Sequence, residues 1–339
     1  MKTKKFDYYL PKNLIAQKPV RPRDASQLMI VDRKTKKISE DYFCHLPKYL
    51  KKGDVLVFNN TKVVPARLIG KRKGTGGKIE ILLIKQISDR IWQALISGHR
   101  RRKEIKINFS QGLSAEIISG GDKGIWQIKF NQKGEIFQKT LQKIGQAPTP
   151  PYIKKITPLP VYQTIFAQNS GSVAAPTAGF HFTKKLFKKL KERGIQIEFV
   201  TLHIGLGTFA PIHEDEIENH QIHSEWAEIS GSTCRRLNLA KLQGRRIIAV
   251  GTTSCRVLEN AAIKKNQLKS FSGQTNLYIF PPYQFRFVDG LITNFHLPKS
   301  TLLLLVSAFA GRDLIFKSYQ RAISKKFRFY SFGDATLIL

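Results

Sequence analysis

The sequence predicts an α/β fold, with a catalytic domain of strand–loop–helix units and an inserted small antiparallel β-barrel domain. Two observations support this prediction. Glycine-rich turns separate short alternating runs between about residues 66 and 130, and strand–loop–helix units follow a proline-rich segment. With 339 residues, 42% of them hydrophobic and 24% charged, the chain has the length and composition of a folded protein of two domains.

The barrel is predicted from a series of short apolar runs, at 78–84, 91–96, 105–109, 115–118 and 125–130. Close turns without a helical period are typical of antiparallel strands in a small barrel. Five prolines between positions 148 and 160 then indicate an extended connector. We therefore assign residues 63–149 to the inserted barrel domain, and residues 1–62 with 150–339 to the α/β catalytic domain.

The α/β domain is predicted from apolar strands that each run into a polar loop, often followed by a helix. The strands are predicted at 54–58, 195–202, 246–250 and 291–295, and 27–31 is a further apolar stretch. The helices are predicted from about 183 to the stop at Gly194, at 255–264 and at 301–310. Repeated units of this kind imply a parallel or mixed sheet that binds ligands at the carboxyl ends of its strands.

Hydroxyl, amide, histidine and glycine residues cluster where these strands end, which predicts a binding site there. Hydroxyls at such positions also cap helices, but capping requires neither histidines nor paired glycines. The loop 251–254 suits a phosphate or a carboxylate, because free N–H groups at a helix start point toward an anion. The candidate substrate-binding residues are Thr177, Gly179, His203, Gly205, Gly207, Thr252, Thr253, Ser254, Arg256, Asn294 and Lys299.

The candidate catalytic residues are His181, His223, Glu225 and His296. Imidazoles titrate near neutral pH and carboxylates orient them, so both are ordinary parts of acid–base catalysis. The acidic residues 214–216 are typical of the first turn of a helix.

Zinc binding by His220 and His223 is an alternative, although the HExxH pattern is absent. The three cysteines have no CxxC spacing, so we expect no metal. No GxxxxGK[ST] motif is present and no GxGxxG motif follows a strand, which excludes a P-loop and argues against a dinucleotide site.

The chain carries 57 basic and 24 acidic residues, a net charge of +33, which favours binding to a polyanion such as RNA. Lysines occur throughout the chain, so part of this excess is background. Clusters beside loops or on one helix face supply the candidate nucleic-acid contacts, which are Arg100, Arg101, Arg102, Lys184 and Lys188.

The longest apolar stretch, 302–310, is far shorter than the ~20 residues of a membrane span. The start of the sequence has no apolar segment typical of a signal peptide. We therefore expect a cytoplasmic protein that does not enter a membrane.

Ten motifs appear in order along most of the chain. They are PRDAS (22–26), FNNTKV (58–63), PAR (65–67), YQT (162–164), GSVAAPTAG (171–179), HFT (181–183), LHIGLGTF (202–209), VGTTS (250–254), LITNFHLPKS (291–300) and YSFGDA (330–335). With these motifs the chain closely resembles the S-adenosylmethionine:tRNA ribosyltransferase-isomerase family of queuosine biosynthesis.

The resemblance implies a small β-barrel inserted into a larger α/β domain. It also implies that the ribosyl group of S-adenosylmethionine is transferred to 7-aminomethyl-7-deazaguanine at the tRNA wobble position and isomerised. The product would be epoxyqueuosine, with adenine and methionine released. S-adenosylmethionine is then a consumed cosubstrate and no cofactor is expected. The expected partners are tRNA and S-adenosylmethionine, and the expected state is a monomer.

The chain departs from the family pattern at a few positions. Asn60 stands where an aspartate is usual, and Ile222 replaces a methionine before His223. A second proline, Pro282, replaces a glycine, and the connector near Pro158 is short.

Two other functions fit part of the sequence. A non-catalytic RNA-binding protein explains the charge but not the polar loops. A tRNA methyltransferase would carry a glycine-rich first strand–helix turn, which is absent.

Overall fold

The chain folds into two compact units. The computed structural model describes residues 1–97, 105–122, 124–155, 157–205 and 211–339. The first unit comprises Met1–Lys62, Thr164–Asn169 and Ala175–Leu339, and the second comprises Val63–Gln163 and Ser170–Ala174. The domain boundaries expected from the sequence, after residue 62 and after residue 149, stay predictions.

The strands of the described residues, in chain order, are β1 (Gln27–Val31), β2 (Ile38–Tyr42), β3 (Val55–Asn59), β4 (Thr61–Val63), β5 (Arg67–Arg72), β6 (Lys78–Gln86), β7 (Ile91–Ser97), β8 (Lys106–Asn108), β9 (Ser114–Asp122), β10 (Ile125–Phe130), β11 (Asn169–Ser172), β12 (Gln196–Leu202), β13 (Glu225–Ile229), β14 (Ile247–Val250), β15 (Ala262–Lys264), β16 (Gln267–Leu268), β17 (Phe271–Thr275), β18 (Gly290–Asn294) and β19 (Ala335–Ile338).

The α-helices of the same residues are α1 (Gly134–Ile144), α2 (Lys184–Glu192), α3 (Gly231–Leu242), α4 (Thr252–Ala261), α5 (Thr301–Ala310) and α6 (Arg312–Ser324). None of these helices has the length and apolar character needed to cross a membrane.

One nine-stranded sheet organises the first unit, in the order β17-β13-β12-β3-β14-β18-β19-β1-β2. Its four central strands, β12, β3, β14 and β18, are parallel neighbours, so their carboxyl ends share one edge. β19 is antiparallel to β18 and β1 is parallel to β19, which places the start of β1 at that same edge.

Helix α2 illustrates how the sequence covers this sheet. Thr183 caps the helix by accepting a hydrogen bond from the N–H of Leu186, at 3.1 Å. Leu186 and Leu190 lie on one face and are buried in the same core cluster as Phe58 and Val250, while lysines occupy the exposed face. Burial of each such leucine contributes about 1.5–3 kcal/mol to stability.

The second unit contains a closed barrel in the strand order β10-β7-β6-β5-β8-β9. Alternate residues of β6, such as Ile79 and Ile81, point to its interior and are buried. A glycine is required at position 70, because a Cβ there would lie 2.7 Å from Ile107 Cγ2 and 2.9 Å from the Asn108 carbonyl oxygen. The predicted fold class, an α/β sheet with a small antiparallel barrel, is confirmed.

The structure differs locally from the predicted elements. Helix α4 starts at Thr252 rather than 255, because Gly251 takes a φ of +91° and turns the chain directly into the helix. The acidic residues 214–216 do not begin an α-helix and precede only a 3-10 turn, Ile217–Asn219. The barrel contains a further strand, β5, and the second unit contains helix α1; both lie outside the predicted runs.

Glu259 on α4 holds the segment that leads into β18. Its carboxylate accepts hydrogen bonds from the backbone N–H groups of Arg286, Phe287 and Val288 at 2.8–3.0 Å. The Tyr283 hydroxyl donates to the same carboxylate at 3.2 Å. Because Glu259 is buried, these bonds compensate the loss of hydration of its charge.

The Glu259→Gln substitution should lower the free energy of unfolding by about 2–4 kcal/mol, because an amide presents donors to backbone donors. Urea-induced unfolding measures this loss. Glu192→Gln is the control, because the Glu192 side chain at the end of α2 is exposed. It should change the free energy of unfolding by no more than about 0.5 kcal/mol. Equal stabilities for both variants would show that the carboxylate does not hold this segment.

Candidate active site

Asn59, the last residue of β3, links the ends of three parallel strands. Its side-chain amide donates to the Leu202 carbonyl at the end of β12, at 3.0 Å, and to Thr253 Oγ1 after β14, at 3.2 Å. Its Oδ1 accepts from the Leu202 N–H at 3.1 Å. Two of the predicted polar loops therefore meet here, as expected for the carboxyl edge of a parallel sheet.

His181 lies at the same edge in a hydrogen-bonded chain. Its Nδ1 is 2.7 Å from Ser26 Oγ, and its Nε2 is 3.1 Å from Asn294 Nδ2. Asn294 Oδ1 accepts from the Thr177 hydroxyl at 2.8 Å, which fixes the orientation of the amide. The amide nitrogen therefore donates to His181 Nε2, and the neutral ring carries its proton on Nδ1.

Burial, reinforced by the positive charges of Arg23 and Arg328, lowers the pKa of His181 to about 3. The ring is therefore uncharged at neutral pH and accepts protons weakly. This environment suits a neutral hydrogen-bonding group better than a proton shuttle.

His203 follows β12 and is fixed from two sides. Thr61 Oγ1 lies 2.7 Å from its Nδ1, and the Trp226 ring stacks on it with centroids 5.0 Å apart. Burial lowers its pKa below the usual value. His203 therefore presents a mostly neutral ring in a defined orientation.

Glu225 and Arg256 form a buried ion pair at the start of β13. The second carboxylate oxygen of Glu225 accepts from the N–H of Gly205, at 2.8 Å, and so holds the loop after β12. Arg256 Nε donates to the Leu277 carbonyl at 3.0 Å. Each charge compensates the other, so the pair adds no net charge to this part of the unit.

His296 lies in the interior. Its ring Nε2 is 3.0 Å from Thr293 Oγ1. Its backbone N–H donates to the Tyr319 hydroxyl at 3.0 Å, and its backbone carbonyl accepts from the Tyr8 hydroxyl. Burial lowers its pKa to about 3. The predicted proton-transfer role of His296 does not fit this position.

Among the described residues, no hydrogen bond or ring contact joins His181, His223 and His296 to one another. His181 contacts Ser26 and Asn294, His296 contacts Thr293, and His223 is exposed just before β13. Sharing of one proton among the three is therefore not supported by their observed surroundings.

The remaining substrate-binding candidates differ in their positions. Thr252 is buried in the first turn of α4, and Ser254 Oγ donates to the Val250 carbonyl at 2.9 Å, which leaves it inside the helix. Gly179 packs closely, since a Cβ there would lie 2.7 Å from Phe166 Cζ. Lys299 pairs with Asp7 at 2.7 Å, on the segment that leads from the N-terminus.

Lys184 and Lys188 are exposed on α2, where both ammonium groups can reach a polyanion. Arg100, Arg101, Arg102 and Gly207 lie outside the described residues. His220 Nδ1 is 2.9 Å from Glu214 Oε2, and no group of three or more metal-ligating side chains is found within the described part of the chain.

Three further residues, Ser26, Asn59 and Thr61, lie at the site and are not among the residues predicted from the sequence. Ser26 belongs to the motif PRDAS, and Asn59 and Thr61 belong to FNNTKV. Membership of these motifs, which carry the family resemblance, is the sequence feature that indicates a place in the site. The partners of these three residues lie 155, 143 and 142 residues away along the chain.

The family model described as "Queuosine biosynthesis protein" matches residues 3–338. The chain belongs to this family. Among its relatives is a protein of Halothermothrix orenii named S-adenosylmethionine:tRNA ribosyltransferase-isomerase, 49% identical over 342 residues and covering 100% of both chains. A Thermosipho melanesiensis protein of the same name is 49% identical over 339 residues, again with 100% coverage of both.

A solved structure is also similar. The crystal structure of S-adenosylmethionine tRNA ribosyltransferase from Thermotoga maritima is 38% identical in sequence, with a TM-score of 0.57. The match covers 99% of this chain and 100% of that chain.

The low pKa of His296 predicts a pH effect on stability. In the unfolded chain, His296 binds a proton once the pH falls below the ordinary histidine pKa of 6.5. In the folded chain, it binds a proton only near pH 3. The free energy of unfolding therefore decreases as the pH falls from about 6.5 toward 3. His296→Gln should remove up to about 1.4 kcal/mol per pH unit of this dependence between pH 6 and pH 4.

Urea unfolding at several pH values measures that slope. The exposed residue His213 provides the control, because His213→Gln should leave the slope at the wild-type value. Identical slopes for wild type and His296→Gln would contradict the assignment of a buried neutral imidazole.

Proposed function

We propose that this chain is an S-adenosylmethionine:tRNA ribosyltransferase-isomerase. It transfers the ribosyl group of S-adenosylmethionine to 7-aminomethyl-7-deazaguanine at the tRNA wobble position and isomerises it, giving epoxyqueuosine-tRNA, adenine and methionine. The observation that carries the proposal is the full-length match to relatives named for this activity. The polar carboxyl edge of the sheet supports it.

The reaction sets requirements for the site. A base removes a proton from the carbon next to the sulfonium, whose positive charge acidifies that carbon. An acid or a hydrogen-bond donor assists the departing adenine, and the acceptor amine attacks as a neutral nucleophile.

We assign proton transfer to His223, because it is the exposed member of the predicted catalytic set and lies beside the buried pair at Glu225. Glu225 acts as a positioning residue through Arg256 and the N–H of Gly205. His181, with its ring fixed and neutral, is assigned to substrate binding together with Asn294 and Thr177.

The reaction itself is tested by mass spectrometry of the small molecules formed from S-adenosylmethionine and tRNA bearing the 7-aminomethyl-7-deazaguanine base. Adenine and methionine in equal amounts are expected. S-adenosylhomocysteine would indicate a methyltransferase, and no small-molecule product would indicate a binding protein without this activity.

His223→Ala and Glu225→Gln should each reduce turnover far more than tRNA affinity. Loss of a proton-transfer group typically costs about 10²–10⁴ in rate. Adenine release measures turnover and filter binding measures affinity, with His213→Ala as the matched exposed-histidine control. Parallel losses of turnover and affinity would contradict both the proton-transfer role of His223 and the positioning role of Glu225.

The exposed lysines of α2 are proposed as tRNA contacts, together with Arg100, Arg101 and Arg102. The double substitution Lys184→Gln and Lys188→Gln should weaken tRNA binding. It should also reduce the slope of log affinity against log salt by about 1–2, because fewer counterions are released on binding when phosphate contacts are lost. Lys264→Gln with Lys265→Gln removes the same charge from another exposed segment. A slope change that is the same for both pairs would mean that α2 contributes only general charge.

We also propose that the enzyme works as a monomer in the cytoplasm and requires no cofactor besides the consumed S-adenosylmethionine. Sedimentation of the purified chain tests the first point, and turnover after exhaustive dialysis against a chelator tests the last.

A further inference from the structure

An open cleft lies between the segment 2–4, residues 211–215 after β12, and Lys299 after β18. It offers solvent about 490 Å³ of space, and about 930 Å³ when its open mouth is included. Sites for small molecules typically measure about 300–1,000 Å³, so a nucleotide-sized group fits. The charged residues of the lining are Lys2, Lys4, Glu214, Asp215 and Lys299.

Backbone hydrogen bonds hold the walls of this cleft together. The Thr3 N–H donates to the Asp215 carbonyl at 2.8 Å. The Ile212 N–H donates to the Lys299 carbonyl at 2.7 Å, and the Lys299 N–H donates to the Phe6 carbonyl at 2.9 Å. Because Thr3 and Phe6 are buried, the first segment is anchored to the unit. A ligand therefore meets a cleft whose backbone is already in place.

Two charged groups of the lining are left for a ligand. The other three are paired, as Lys2–Glu216 at 3.3 Å, Lys299–Asp7 at 2.7 Å and Glu214–His220 at 2.9 Å. The Lys4 ammonium and the Asp215 carboxylate are exposed, and neither makes an ion pair within the part of the chain that the structure describes. A ligand with one anionic group and one edge of hydrogen-bond donors complements this pair of charges.

We propose that the cleft binds the target nucleotide of the tRNA, with a phosphate on Lys4 and the Watson–Crick edge of the base on Asp215. The inference rests on the proposed function, in which 7-aminomethyl-7-deazaguanine is the acceptor. Enzymes that act on a base take it out of the stack and bind its Watson–Crick edge in a pocket. The N1–H and the 2-amino group of this base are adjacent donors, and a carboxylate has two oxygens to accept from them.

This orientation leaves the nucleophile uncovered. The aminomethyl group is attached to C7, on the other side of the base from N1 and the 2-amino group. A base held by Asp215 therefore keeps its amine available for attack. Glu214, the neighbour of Asp215, contacts His220, which is three residues before His223. The cleft and the residue assigned to proton transfer thus belong to one segment of the chain.

The shape and charge of the cleft favour a nucleotide of a polymer over S-adenosylmethionine. A nucleotide that stays linked to RNA on both sides requires an open site, and this cleft opens to solvent. Its lining carries three lysines and two carboxylates. This excess of positive charge attracts a phosphate and repels a sulfonium.

Fluorescence anisotropy of the full chain with labelled RNA anticodon stem-loops tests the proposal without S-adenosylmethionine. One RNA carries 7-aminomethyl-7-deazaguanine at the wobble position. The other carries 7-aminomethyl-7-deazaadenine, which lacks the N1–H and the 2-amino group. The first RNA should bind at least about tenfold more tightly, as expected for hydrogen bonds to a charged acceptor. Equal affinities for the two RNAs would overturn the proposal.

Asp215→Asn should reduce this preference at least about fivefold, because the amide replaces one acceptor oxygen with a donor. The ratio of the two affinities is the measured quantity, since loss of a negative charge raises the affinity for both RNAs alike. Asp313→Asn, at an exposed site on α6, is the matched control and should keep the wild-type ratio. An unchanged ratio in Asp215→Asn would refute the base contact.

Lys4→Gln should weaken the binding of both RNAs and reduce the slope of log affinity against log salt by about 1. Lys5→Gln is the matched control, because Lys5 is the adjacent exposed lysine and does not line the cleft. Slopes that do not differ between these two variants would refute the phosphate contact. His213 also borders the cleft, but no ligand contact is assigned to it. His213→Ala leaves Lys4 and Asp215 in place and so remains a control for His223.

The outcomes separate this inference from the proposed function. Adenine release by the wild-type chain, with an RNA preference that Asp215→Asn leaves intact, would keep the function and overturn the inference. A preference that depends on Asp215, in a chain that releases no adenine, would support the cleft and refute the proposed reaction. Weaker calorimetric binding of S-adenosylmethionine to Asp215→Asn, with the RNA preference unchanged, would assign the cleft to that ligand and overturn the proposal.

Discussion

The parallel pairing of β12, β3, β14 and β18 is the constraint on which the rest of the structure depends. It brings four carboxyl ends, and the loops that follow them, to one edge of the sheet. Asn59 then connects neighbouring strand ends through its side chain, with bonds to Leu202 and Thr253. Residues far apart in sequence become neighbours there, and polar groups that would be solvated in isolated loops acquire fixed partners.

Electrostatics at this edge are governed by burial rather than by the net charge of +33. Glu225 is neutralised by Arg256, and burial keeps the rings of His181 and His296 uncharged at neutral pH. Neutral, well-bonded groups suit substrate positioning, because they keep their geometry when a charged ligand enters. In the proposed reaction, proton transfer is therefore assigned to a more accessible group, His223, and not to the two buried histidines.

The sequence predicted the fold class and the loops of the site, but not how their side chains pair. The alternation of apolar residues and the turn residues between the runs predicted β6, β7 and β10, because these patterns are local in the sequence. The start of α4 was misjudged because the positive φ of Gly251 shortens the expected loop. The Ser26–His181 contact spans 155 residues, and only the tertiary fold brings such partners together. The interior position of His296 was missed for the same reason.

A crystal structure of the chain with S-adenosylmethionine tests the central claim most directly, which is that the carboxyl edge of the four parallel strands binds the substrate. We predict ligand density along that edge, in contact with the loops after β12 and β14. Density at the opposite edge of the sheet, with the carboxyl-edge loops free of ligand, would contradict the account.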